Sequence, residues 1–181
     1  RQVKELGADN IFSDKGNEVA FATIGDASTS EGVFWETLNA AGVLQVPLLI
    51  SVWDDGYGIS VPKSYQTTKE SISTLLQGFD PRIDQTQGIT IETVNGWDYP
   101  ALLETYNRVV LDLRENHAPA LIHVEECTQP LGHSTSGSHE RYKTPERMQY
   151  ELDMDCLKLM RQWIIDEKIS TSKDLEGIEN E

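Results

Sequence analysis

Three short stretches carry oxygen and nitrogen donors in positions suited to a small ligand: Gly25-Asp26-Ala27, Asp54-Asp55-Gly56-Tyr57 and Gly132-His133-Ser134. The two acidic stretches directly follow runs with the pattern of a buried β-strand, and the third lies in the loop after a later one. Ligands of an open parallel sheet sit outside the carboxyl ends of its strands. Asp26 and Asp55 stand 29 positions apart, with one strand–helix–strand crossover between them. A right-handed crossover usually returns to a neighbouring place in the sheet, where strands lie ~4.8 Å apart. Two carboxylates so placed can share one small cation. Magnesium takes oxygen ligands at ~2.0–2.1 Å and is often held by one or two carboxylates plus substrate phosphates. Asp and Gly are equally ordinary turn residues, so on these positions alone turn formation and metal binding both stay open.

The third stretch opens a local basic patch of His133, His139, Arg141 and Lys143 in a chain of formal net charge −15. Such a patch suits an anionic ligand. For His139 and Arg141 the preferred reading is a solvated surface loop. For His133 it is function, because Gly132 beside it permits close backbone approach.

The elements that must position these groups alternate short apolar runs with helical stretches, the signature of an α/β fold with a parallel sheet flanked by helices. Strands are predicted at 18–24, 48–52, 89–94 and 120–124. Helices are predicted at 30–44, around 70–77, from Asp98 as N-cap to 116, from Thr144-Pro145 onward, and at 155–167. The helix 30–44 is expected to carry Val33, Phe34, Thr37, Ala40, Ala41 and Leu44 on one face, with Trp35 off it. Residues 1–169 read as one domain and 170–181 as a flexible tail or linker.

With 181 residues the chain supports one domain with a real core. Its acidity argues against nucleic acid and anionic membranes as partners. No apolar run approaches the ~20 residues of a membrane-spanning helix, and the polar start is unlike a signal peptide. Cys127 and Cys156 lack metal spacing and read as free thiols in a reducing, cytoplasmic setting. The first residue is Arg and not Met, so a piece of a longer chain or a processed product is expected.

The stretch 25–62 resembles the thiamine-diphosphate motif of 2-oxoacid dehydrogenases. In that motif Gly-Asp-Gly precedes a helix with spaced Gly, Glu, Asn and Ala, then Pro before a strand, and finally Asn-Asn. Gly32, Glu36, Asn39, Ala41 and Pro47 occupy matching positions. Ala27 replaces the second glycine, and Asp54-Asp55 replaces the Asn pair. The loop 129–143 is similar to the phosphorylation loop of the alpha part of these enzymes, and its Ser134-Thr135-Ser136 and Tyr142 lie nearer the branched-chain than the pyruvate enzyme. Here Gln129 stands for the usual Arg, and Gly137-Ser138 for an acidic pair. Val94-Asn95-Gly96-Trp97-Asp98 also resembles a family signature, with Asn95 for an Asp. The likeness covers about 18–167.

The resemblance implies a thiamin diphosphate-binding fold and the cofactors thiamine diphosphate and Mg2+. It makes Asp26, Asp55 and the Tyr57 carbonyl the metal ligands. Gly25, Asp26, Ala27, Ser28, Asp55, Tyr57, Ile59 and His133 would surround the cofactor, with His133 assisting catalysis and Ser134 at the family's regulatory position. The implied activity is that of a 2-oxoisovalerate dehydrogenase-like oxidoreductase within a multienzyme complex. It decarboxylates a branched-chain 2-oxoacid oxidatively and passes the acyl group to a lipoyl carrier. The implied partners are a pyrimidine-binding (beta) domain or subunit and a lipoyl acyltransferase, in a homo- or hetero-oligomer. As half of a two-domain site, the chain alone is expected to be inactive. The alternatives are a pyruvate dehydrogenase of the same family, a transketolase-like enzyme, and a magnesium-binding receiver-type signalling domain. A receiver places its acidic pair after the first strand and a lysine after the last. Here the pair follows the second strand, and Cys127-Thr128 follows the last.

Overall fold

The computed structural model describes residues 13, 16–134 and 138–180. The polar start 1–10 and the loop residues Thr135, Ser136 and Gly137 lie outside them. Four parallel strands form the central sheet in the order β1-β2-β6-β5: β1 Ala20–Gly25, β2 Leu48–Trp53, β5 Thr90–Asn95 and β6 Ala120–Glu125. Two two-residue strands, β3 Tyr57–Gly58 and β4 Val61–Pro62, make a small antiparallel hairpin after β2. The helices are α1 Gly32–Leu44, α2 Ile72–Leu75, α3 Pro81–Asp84, α4 Tyr99–Asn116, α5 Pro145–Asp153, α6 Cys156–Asp166 and α7 Ser172–Glu179. The expected parallel α/β sheet flanked by helices is what forms.

The period-2 alternation of side chains along a strand divides the core in two. Ile50 and Val52 of β2 and Leu121 of β6 point to the face covered by Phe34 and Leu38 of α1 and by Ile72 and Leu76. Leu49, Ile122 and Val124 point to the opposite face, against Val109 and Leu113 of α4. Because both faces of β2 and β6 are covered, these strands are almost continuously apolar. α4 starts as its sequence indicates, with the Asp98 carboxylate accepting from Ala101 N at 3.0 Å and Pro100 in the first turn.

Two expectations are corrected. On α1 the buried stripe is Phe34, Leu38 and Ala41, spaced i, i+4, i+7; Leu38 is fully buried, whereas Val33 is 66% exposed. Thr37, Ala40 and Leu44 share the exposed side with Val33. The helix carries two adjacent apolar stripes, and only one meets the sheet. Trp35 is not off the core: it packs against it, edge-on to Phe34 with centroids 5.2 Å apart. The second correction concerns 170–181, where a helix stands in place of a flexible tail. Thr171 Oγ1 accepts from Asp174 N at 3.3 Å, and Arg161 ties α7 back to α6 through Ser172 Oγ at 3.0 Å and Glu179 Oε1 at 3.1 Å.

Candidate cofactor and metal site

Asp26 leaves β1 and Asp55 leaves β2 at the carboxyl edge of the sheet. The two chain segments stay paired there, since Asp26 N donates to Trp53 O at 3.0 Å. Both aspartates are buried, and both line one cavity of about 530 Å3 with Gly25, Ala27, Ser28, Tyr57, Ile59 and His133. The structure thus gathers every residue expected at the cofactor around one opening. Gly96, Cys127, Gln129 and Cys156 line the same cavity. Both cysteines are free, as expected, and burial pushes the Cys127 thiol up to about 12, so it is protonated at neutral pH.

The electrostatics single out Asp26. Burial, then the neighbouring carboxylates of Asp54 and Asp55, push its pKa up to about 7; the Ala27 N–H and Lys63 only partly offset them. Asp55 is also raised, by burial first, with Asp54 adding to it against the Tyr57 N–H and Lys143. Carboxylates crowded in a low-dielectric pocket repel one another, and a cation among them removes that repulsion. The donors are all hard oxygens and too few for an all-protein cage, which matches how magnesium is held beside phosphate. Among the described residues no group of three or more His, Cys, Asp or Glu forms a metal cluster by itself. Two carboxylates on one cavity could hold a hard cation only together with ligand oxygens.

Asp54 behaves differently from Asp55. Its Oδ1 accepts Gly56 N at 2.7 Å; its Oδ2 accepts Lys63 Nζ at 3.1 Å and His123 Nε2 at 3.0 Å. Burial raises its pKa, but the His123 hydrogen bond and the Lys63 ammonium outweigh burial and hold it below the ordinary aspartate value. The other ring nitrogen of His123 lies 3.0 Å from Ser73 Oγ and 3.3 Å from Ser73 N. Sequence reading missed this network. Its signal was present: His123 interrupts the apolar run of β6, and a polar side chain in a doubly covered strand needs a partner.

The departure at Ala27 is accommodated locally. A side chain on Gly58 would come within 2.9 Å of the Ala27 Cβ, so the missing side chain at 58 leaves room for the methyl at 27. Ile59, at the hairpin tip, has φ of 61°, a left-handed conformation that β-branched residues rarely adopt. Gly132 is also left-handed, at φ of 77°, with the His139 ring within 2.6 Å of where a Cβ would be. Close approach at Gly132 is therefore to His139. His133 and Ser134 lie at the exposed surface of the loop.

The expected basic patch is smaller than its sequence suggests. Lys143 is only 5% exposed, and its ammonium contacts both oxygens of Glu151 at 2.8 and 2.7 Å. It is a buried ion pair and not an open anion site. Glu151, on α5, is eight residues further along, so spacing alone hid the pairing.

The profile of the family described as dehydrogenase E1 component matches residues 8–181. The chain belongs to this family. The alpha subunit of acetoin:2,6-dichlorophenolindophenol oxidoreductase from Cupriavidus necator is 28% identical over 172 residues, covering 94% of this chain and 48% of that protein. The pyruvate dehydrogenase E1 component subunit alpha of Rickettsia typhi is 25% identical, covering 96% of this chain and 51% of that protein. A 3-methyl-2-oxobutanoate dehydrogenase subunit alpha of Mycobacterium tuberculosis is 30% identical, covering 83% of this chain and 39% of that protein. The chain spans about half or less of the length of these relatives. Alpha subunits of three different names thus match it at similar identity. Among the described residues no helix is long and apolar enough to cross a membrane.

Proposed function

We propose that this member of the E1 family is the diphosphate-holding half of a thiamine-dependent 2-oxoacid dehydrogenase, with magnesium held by Asp26, Asp55 and the Tyr57 carbonyl. The observation that carries the reading is the pair of buried, mutually repelling carboxylates at the ends of neighbouring strands, open to the cavity that His133 also lines. Thiamine diphosphate bound there supplies the carbanion chemistry. Gly25, Ala27, Ser28 and Ile59 line the same cavity and would contact the cofactor. His133, which also lines the cavity, would reach the diphosphate and assist catalysis. A partner domain or subunit binds the aminopyrimidine end, and a lipoyl acyltransferase receives the acyl group. Ser134, beside His133, is the position at which a phosphate group would interfere with this site.

The preferred substrate is a branched-chain 2-oxoacid. Supporting it are the loop residues Ser134, Thr135, Ser136 and Tyr142 and the similarity to a 3-methyl-2-oxobutanoate dehydrogenase. Pyruvate is the alternative, favoured by the similarity to pyruvate dehydrogenase subunits. The test is lipoyl-dependent decarboxylation by the assembled enzyme with 3-methyl-2-oxobutanoate and pyruvate side by side. Higher kcat/KM on 3-methyl-2-oxobutanoate is expected; preference for pyruvate would replace the substrate, and turnover of neither would remove the activity.

A further inference from the structure

Arg147, on α5, commits its guanidinium to three acceptors at once. Nη1 donates to Glu126 Oε2 at 2.5 Å, Nε to Glu151 Oε1 at 2.9 Å, and Nη2 to the backbone carbonyl of Asp55 at 3.3 Å. Glu151, 1% exposed, takes Lys143 as its second cation. Lys143 in turn places its ammonium 5.3 Å from the centroid of the Tyr57 ring, whose other neighbour is the Tyr142 ring at 5.6 Å. The turn 55–57 is therefore gripped twice, by Arg147 of α5 at the carbonyl of Asp55 and by Lys143, just ahead of α5, at the ring of Tyr57. The turn's other bonds are Gly56 N to Asp54 Oδ1 at 2.7 Å, Tyr57 N to Asp55 Oδ1 at 3.1 Å, and Lys63 N to the Gly56 carbonyl at 2.9 Å. Gly56 sits at its centre at φ of 83°.

Stability does not account for this arrangement. Replacing a buried ion cluster by apolar side chains of similar volume is often neutral or stabilising, because desolvation cancels the attraction between the charges. What an apolar cluster cannot do is hold a backbone carbonyl in a fixed direction while bonding two carboxylates. Only a planar fork of donors does so, which an ammonium cannot imitate.

We propose that Lys143, Glu151 and Arg147 are positioning residues that set the turn 55–57 in the geometry that takes the metal. The same cluster ties that turn to Tyr142 and Lys143, the carboxyl end of the His133 loop. This inference rests on the metal assignment proposed above.

The test uses the full-length protein with its partner domain, thiamine diphosphate present, and Mn2+ as the probe, read by electron paramagnetic resonance beside thermal melting. Groups that orient metal ligands without touching the metal typically contribute 10–100-fold in metal affinity, so Arg147→Lys is expected to bind Mn2+ about tenfold more weakly or worse while melting like the wild type. Lys143→Met combined with Glu151→Met removes both buried charges at similar volume and should show the same loss without a lower melting temperature. In Arg147→Ala, millimolar guanidinium should restore Mn2+ affinity and methylammonium should not; a cavity of about 180 Å3 lined by Arg147, Glu126 and Asp55 admits it. Wild-type Mn2+ affinity in variants that melt normally would overturn the inference alone. Absence of Mn2+ binding in the wild type, or full binding in Asp55→Ala, would overturn the metal assignment beneath it.

Discussion

His123 Nε2 donates to Asp54 Oδ2 at 3.0 Å, with both side chains sealed from solvent. The contact follows from strand alternation: Val52 and Asp54 share a face at the end of β2, and that face meets His123 on β6. Asp55, one residue on, turns to the cavity. Two consecutive aspartates thus have separate roles, Asp54 fastening the turn to the sheet and Asp55 facing the ligand site.

Removing the fastening is therefore costly. His123→Leu leaves a buried Asp54 carboxylate with Lys63 as its remaining charged partner. Breaking a buried pair costs ~3–5 kcal/mol when no partner remains, so a loss of about 2–3 kcal/mol is expected here. Urea unfolding measures it, and an unchanged midpoint would show that the pair contributes nothing.

Asp26 makes stability depend on pH with a definite sign. Its folded pKa of about 7 lies above the unfolded value of 3.8, so between those values the folded chain holds a proton that the unfolded chain has lost. The metal-free protein accordingly loses stability as pH rises from about 4 to about 7, and no further above that. Asp26→Asn removes the effect. At about 1.4 kcal/mol per pKa unit, it should stabilise the metal-free protein by roughly 2–4 kcal/mol at pH 8 and by nothing at pH 4. Urea titrations in chelator at the two pH values test this. Equal shifts at both would contradict it.

His133 is on an exposed loop, so its removal should hardly affect folding. His133→Ala in the assembled enzyme is expected to lower decarboxylation by ~100-fold or more, the usual contribution of a positioned acid–base group, with melting unchanged. Near-normal turnover would reduce His133 to a surface residue.

Ile59 holds an unfavourable φ at the cavity wall. Such outliers cost of order 1–3 kcal/mol and cluster at ligand sites. Ile59→Gly should therefore raise stability by about 1 kcal/mol while weakening thiamine diphosphate binding. Loss of both properties would mean that the isoleucine side chain packs for stability instead.

The strand positions and the neighbouring placement of Asp26 and Asp55 were legible in the sequence because they depend on local pattern and on one crossover of ordinary length. The core face of α1 was misread because Phe34–Leu38–Ala41 and Val33–Thr37–Ala40–Leu44 are neighbouring apolar stripes, and only the sheet selects between them. Lys143 looked like a loop cation because its partner Glu151 belongs to another element. Residues 170–181 looked like a tail because a short acidic helix has no intrinsic stability; Thr171 and Arg161 supply what its composition lacks.

Calorimetric titration of the assembled protein with thiamine diphosphate, in magnesium and in chelator, tests whether Asp26 and Asp55 hold the metal that binds the cofactor. Loss of one of few ligands to a hard cation removes most of its binding. Tight binding is expected in magnesium, none in chelator, and none in either solution for Asp26→Ala or Asp55→Ala. Binding by Asp26→Ala with wild-type affinity in magnesium would contradict that assignment.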